Sequence, residues 1–370
     1  SEELDELASL VGRLDPFLIG VSVLSSSYQA AIQATHLVRE LSNAFIVWGG
    51  VHPTFEAEQS LRESGADAVC RGEGEETIVE LAEALINDKD IQQIKNLSRL
   101  TKDGRYQENT LRPSVRTPDA MPFIPCADEF RWWIPSDLRQ RAAQNAIGED
   151  RNFYTPGVVM TGYGCPYRCT FCYSEPWADL YRGNGPSFRR KSVSRVIEEC
   201  QWLRDEEGKP FIAFWDDIFT LNRKWLKEFA AIYPREVGLP FFCYFHPSHA
   251  DEETARLVAD AGCVSAICGV QSGSERLRRS VYHRHESNAE ILRAAELLNP
   301  MFDMTWDMIL DCPWETEEDW RANVELFLQF PHPFKITSNH LEYLPGTTIT
   351  RRALAKGMVR REELPWNLKD

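Results

Sequence analysis

A chain of 370 residues with 56 acidic and 41 basic side chains carries a formal charge of −15. That length exceeds one ordinary core and fits two units, while the acidity argues against a grip on a phosphate backbone, the largest basic cluster being RRK at 189–191. The longest apolar run, FLIGVSVL at 17–24, falls far short of the ~20 residues of a membrane span. No charged-then-apolar leader opens the sequence, so a cytoplasmic protein with its ten cysteines mostly reduced or ligating is expected.

FLIGVSVL reads as a strand covered on both faces, as in a parallel sheet. A helical stripe follows over 28–41, then a second buried strand, FIVWGG at 45–50, a short helix around 54–63, a strand DAVC at 67–70 and a helix at 75–85. This alternation predicts an open, doubly wound sheet over residues 1–105. Its first strand arrives so early that part of the unit is expected upstream of Ser1.

Between about 95 and 155 the periodicity fails among turn- and proline-rich segments, KDGR, RPS and TPDAMPFIP. The stretch 106–155 reads as a connection packed between units, because Phe130, Trp132 and Trp133 need cover. From 157 the alternation resumes, with strands at 157–162, 211–215, 240–245, 264–270, 304–310 and 335–341. Between them run apolar stripes, one built from Val193, Val196, Ile197, Cys200 and Leu203 and another from Trp320, Val324, Phe327 and Leu328. Ser192, Asn222, Ser287 and Thr316 sit at helix starts, Gly208 and Gly262 at helix stops. Six β/α units predict a partial parallel barrel over 156–350, followed by a segment 351–370, and such barrels carry chemistry at the C-terminal ends of their strands.

The first β/α loop of that barrel reads CPYRCTFC, with cysteines at 165, 169 and 172 and no fourth nearby. Four thiolates saturate zinc or a simple cluster. Three around a [4Fe–4S] cube leave one iron open to another ligand. A structural zinc knuckle borrowing a distant residue is the alternative. Cys70, Cys200, Cys243, Cys263, Cys268 and Cys312 fall in or beside regular elements and read as small core hydrophobes, and Cys126 has no partner pattern.

CPYRCTFC resembles the CxxxCxxC motif of radical S-adenosylmethionine (SAM) enzymes. The resemblance implies Cys165, Cys169 and Cys172 as ligands of a [4Fe–4S] cluster whose open iron chelates SAM, with Phe171 and Tyr173 beside the cofactor. WDDIFTLN (215–222) is similar to an acidic segment of one branch, implying Asp216 and Asp217 near the SAM ammonium, although helix capping is the other use for such residues. GVQSGSE (269–275) resembles that branch's G-x-ESGS element and implies Gln271 and Ser272 near SAM, with glutamine where glutamate is usual. DCPWET (311–316) stands where GLPGET is frequent, and YLPGT (343–347) matches the PGT turn.

In the first unit, the spacing of Ser22, Leu24, Gly49 and Gly50, with GGVHPTF and GADAVCRGEGEET, resembles cobalamin-binding domains of the same enzymes. It implies cobalamin contacts from these four and from Val51, His52, Gly72, Glu73 and Gly74. His52 also fits a plain loop hydrogen bonder, and the whole unit a Rossmann-like fold that binds nothing. The histidine that ligates cobalt in some relatives would lie upstream of Ser1.

The implied function is cobalamin-dependent methyl transfer to an unactivated carbon or phosphorus of a small molecule through a 5′-deoxyadenosyl radical, with electrons from a flavodoxin or ferredoxin. A cyclase or rearrangement enzyme using cobalamin without net methylation, and a corrinoid and iron–sulfur electron carrier, are the alternatives. Tyr244, His246, Asp307 and His340, at or near strand ends, are candidate substrate-facing groups.

Overall fold

The computed structural model describes residues 2–115, 117–123 and 156–367; Cys126, Phe130, Trp132 and Trp133 lie outside the described residues. Strands β1 (Leu18–Ser22), β2 (Phe45–Gly49) and β3 (Ala68–Cys70) run parallel in sequential order. The sheet then continues antiparallel through β4 (Leu97–Leu100) and β5 (Tyr106–Glu108), a hairpin inside the stretch that showed no periodicity. Its turn is closed by Thr101, whose N–H bonds Arg105 O at 2.8 Å, and by Gly104 at φ 78°. The helix expected around 54–63 is two, Val51–Phe55 and Ala57–Ser64, broken at Glu56.

Beyond residue 156, β6 (Gly157–Val159) opens a second sheet, and β7 (Gly162–Tyr163) pairs antiparallel with β8 (Arg189–Arg190). Strands β9 (Ile212–Phe214), β10 (Phe241–Phe245), β11 (Cys263–Gln271), β12 (Asp303–Leu310) and β13 (Lys335–His340) complete six parallel strands in the order β6-β9-β10-β11-β12-β13. This is the sequential winding of a β/α barrel, two strands short of eight. Ser192, Asn222 and Ser287 cap the intervening helices through their side chains, and Thr316 forms a capping box with Asp319.

An aromatic core of Phe214, Phe219, Phe229, Tyr233 and Phe241 packs edge to face behind the strands, each ring fully buried. Burying one such ring is worth roughly 2–3 kcal/mol. Cys70, Cys200, Cys243, Cys263, Cys268 and Cys312 are all buried thiols. The stripe expected on the 317–327 helix is not core: Phe327 is buried, but Trp320, Val324 and Leu328 are 55–76% exposed. The neighbouring strand β13 is the sheet edge and exposed along its whole length, so nothing among the described residues covers that face.

Residues 348–367 return to the first sheet. Val359, Leu364 and Trp366 are buried against Val11, Val23, Tyr28, Ile46 and Trp48.

Candidate functional site

The cysteine loop leaves the end of β7 through Gly164, at φ 83°, where a Cβ would sit 2.0 Å from Ser187 O. Only glycine fits. The loop is then held from three sides. The N–H of Thr170 donates to Tyr282 O (3.1 Å), its hydroxyl to Val281 O (2.6 Å), and its carbonyl accepts from Ile349 N (2.9 Å). The Tyr282 end of this contact is a π-helical turn, Arg278–Tyr282, whose Arg278 is fully buried and bonded to the Glu286 carbonyl. On the second side Tyr167 stacks on His246 (centroids 4.2 Å, 16°) and reaches His249 Nε2 at 3.0 Å. On the third, Tyr173 Oη lies 2.8 Å from Ser25 Oγ, which lies 2.9 Å from His52 Nδ1.

Burial pushes the Cys165 thiol up to about 12 and Cys169 to about 11, and raises Cys172 too; the charge of each of the other two thiols acts on Cys165. Cys172 Sγ accepts from Ser174 N at 3.4 Å. No group of three or more His, Cys, Asp or Glu that could hold a metal ion occurs among the described residues. The three thiols are thus partly buried and within electrostatic reach of one another. Three thiolates are the ligand set that leaves one iron of a cube open, whereas a tetrahedral zinc needs a fourth ligand.

The acidic pair after β9 divides. Asp216 is buried and accepts from Thr161 N, Thr161 Oγ1 and Gly162 N at 2.6–2.7 Å, with Arg190 at 3.5 Å. Its carboxylate is consumed in holding the β6–β7 bend. Asp217 faces the cysteines instead, 3.3 Å from Ser174 Oγ. Gln271 adopts φ 68° at the end of β11, and Ser272 is fully buried and bonded to Asn323 Oδ1 at 3.1 Å. A left-handed glutamine at a strand end is backbone strain of the kind that collects at sites. Phe171 packs edge-on to Tyr282 at 5.2 Å.

His246 sits 2.7 Å from Glu286, a fully enclosed contact in which burial lowers the imidazole. Burial would raise the Glu286 carboxyl, yet His246 and Arg284 hold it well below the usual carboxylate range. Tyr244 and Asp307 face the same cavity, but His340 is 81% exposed and pairs with Asp311. Sequence reading missed Tyr167, Thr170, Ser25, Trp215, Arg284 and Glu286. Thr170 and Tyr167 lay inside the quoted motif, whereas HRHE at 283–286 carries no periodic or spacing signal.

Three cavities adjoin one another through shared wall residues. The first, ≈ 360 Å³, is walled by Gly20 within β1 and by Ser22, Gly49, Gly50, Gly72 and Gly74 at or just beyond the ends of β1–β3. A Cβ on Gly20 or Gly49 would meet no atom closer than 3.8 Å and would occupy the cavity itself, so the glycines keep a slot for a ligand's bulk. The second, ≈ 380 Å³, lies between the two sheets and shares Gly72, Gly74 and Glu75 with the first; Val51, Tyr163, Tyr173 and Trp177 line it. The third, ≈ 350 Å³, shares Asp217 with the second and reaches into the barrel past Tyr244, Gln271 and Asp307. Leu24 and His52 line none of the three; His52 is fully buried under Tyr28 and burial lowers it to about 4. Glu73 lines the second, but its carboxylate is bound to Arg189 of β8 and to Val115 N (2.7 Å).

Comparison with known proteins agrees with this arrangement. The radical SAM superfamily matches residues 159–327 and the B12 binding domain residues 1–82. An uncharacterized methyltransferase, PH0819, of Pyrococcus horikoshii is 28% identical over 360 residues, which is 96% of this chain and 73% of that protein. The anaerobic magnesium-protoporphyrin IX monomethyl ester cyclase of Cereibacter sphaeroides is 26% identical over 305 residues; 80% of this chain aligns, but the chain spans only 46% of that protein. Among solved structures, the radical SAM methyltransferase TsrM of Kitasatospora setae, with tryptophan and a SAM analogue bound, superposes with a TM-score of 0.74 at 19% identity, covering 95% of this chain and 68% of that one. With a B12-binding unit leading into a radical SAM barrel, the chain belongs to the cobalamin-dependent radical SAM enzymes.

Proposed function

We propose that the chain is a methyltransferase acting on a small organic molecule inside the barrel. The observation that carries the reading is the row of three cavities with shared wall residues, from the glycine slot of the first sheet, past the cysteine loop, to the strand ends of the second. Methyl transfer needs donor and acceptor on one line with water kept out. In this assignment Ser22, Gly49, Gly50, Val51, Gly72 and Gly74 hold cobalamin, and Cys165, Cys169 and Cys172 hold the cluster. Phe171, Tyr173, Asp217 and Gln271 surround SAM, and Asp217 pairs with its cationic end. Cluster and SAM together supply a radical initiator, and cobalamin a methyl carrier. Asp216 and Glu73 act indirectly, by fixing the β6–β7 bend and the seam between units. The units follow the bounds 1–105, 106–155, 156–350 and 351–370, except that β5 (Tyr106–Glu108) extends the first sheet and Val359, Leu364 and Trp366 of the last segment pack against it.

A cytoplasmic setting and a flavodoxin or ferredoxin donor complete the proposal. Nine free thiols among the described residues support a reducing setting. The test is anaerobic reduction of protein reconstituted with iron, sulfide and hydroxocobalamin, using SAM labelled in its methyl group. 5′-Deoxyadenosine together with label leaving SAM for another molecule is the expected result. Deoxyadenosine without label transfer would favour the cyclase or rearrangement reading, which the similarity to the Cereibacter cyclase supports. Neither product would leave only an electron carrier.

A further inference from the structure

Charges in the third cavity do not balance. Asp216 is matched by Arg190 and three donors. Arg284, the one cation on the wall, is spent on Glu286 (3.1 Å) and on Gly269 O (2.9 Å). His246 is lowered by burial and stands against Glu286, so it adds no free positive charge. Two carboxylates remain, Asp217 and Asp307, and neither forms an ion pair among the described residues. Asp217 lies on the wall shared with the cysteine side and is taken up by SAM in the function proposed above. Asp307 lies farther along, on β12. There Thr337 of β13 donates to it, the phenol of Tyr244 feels its charge, and burial raises its carboxyl. On the same cavity wall Trp215 turns a large ring outward, 56% exposed at the end of β9 where its strand neighbours are buried.

A half-buried carboxylate with no counter-ion is costly, and a cation brought by a ligand relieves that cost. An exposed tryptophan beside it offers a flat apolar platform. We propose that the substrate carries a basic nitrogen, which pairs with Asp307, on a flat or apolar body that stacks on Trp215. The proposal rests on the function given above and narrows its substrate class to cationic molecules. Tyr244, across from Asp307, then donates or accepts a second hydrogen bond at the same polar head.

The test uses holoenzyme with SAM present and three probes of one shape: 3-phenylpropan-1-amine, 3-phenylpropan-1-ol and 3-phenylpropanoate. Binding is followed by calorimetry under anaerobic conditions. The amine is expected to bind about 10–100-fold more tightly than the alcohol, the range of a charge-assisted hydrogen bond, with the acid weakest. Asp307→Asn should erase that order and Asp307→Glu keep it; Trp215→Leu should weaken all three alike. Equal binding of the three probes, no binding of the amine, or an order that survives Asp307→Asn overturns the proposal. Release of 5′-deoxyadenosine by the unaltered enzyme without probe tests the underlying function separately.

Discussion

Removing the Glu73 carboxylate strips acceptors from two places at once. Its oxygens hold Arg189, whose side chain is 6% exposed, and the N–H of Val115, and the pair spans the seam between the first sheet and the barrel. Glu73→Ala leaves a guanidinium buried without a counter-charge, a defect worth about 3–5 kcal/mol. Out of a total stability of roughly 5–15 kcal/mol that is a large fraction. Urea unfolding of the apo-protein should show the loss as a lower midpoint at unchanged slope. Glu73→Leu combined with Arg189→Met removes both charges and fills the space, so the double variant should lose less than Glu73→Ala alone. A loss under about 1 kcal/mol for Glu73→Ala, or two single losses that simply add, would refute the reasoning and return Glu73 to the role of a cobalamin contact.

His52, lowered by burial from 6.5 to about 4, is neutral when folded but protonates when unfolded as pH falls below 6.5. The unfolded state then binds more protons, so stability rises with pH across the window from 4 to 6.5, by roughly 3 kcal/mol in all. His52→Gln should flatten that part of the stability profile, and an unchanged profile would show that the ring is not sealed as described. Thr170→Val deletes the 2.6 Å bond to Val281 O that ties the cysteine loop to the π-helical turn. Iron retained after desalting should fall several-fold from about four per chain, Thr170→Ser should restore it, and full retention by the valine variant would remove Thr170 from the loop's support.

The barrel and the cysteine loop were readable because their signals are local. CPYRCTFC carries its own spacing, and each β/α unit repeats a short pattern. What stayed hidden depends on distant partners or on which way a side chain turns. Asp216 and Asp217 are adjacent letters, yet one faces the bend at Thr161 and the other the cysteines, because successive side chains at a strand end point opposite ways. Glu73 finds Arg189 116 positions away, and no short motif encodes that. The Trp320, Val324 and Leu328 stripe shows the other failure: periodicity reports that a helix face is apolar and is silent on whether a neighbour covers it. The β4–β5 hairpin was missed because strands of four and three residues are too short to show alternation, though KDGR marked the turn.

Because Trp366 and its neighbours plug the hydrophobic interior of the first sheet, that sheet cannot finish its own packing until residues about 300 positions beyond its strands, after the whole barrel, have been translated. The cobalamin unit is therefore stitched shut by residues made after the barrel, and its maturation should be slow and governed by contacts far apart in sequence. A fragment cut after the glycine-rich loops would leave Tyr28 and Trp48 bare on one side, and only addition of a peptide spanning residues 356–367 would cover them again.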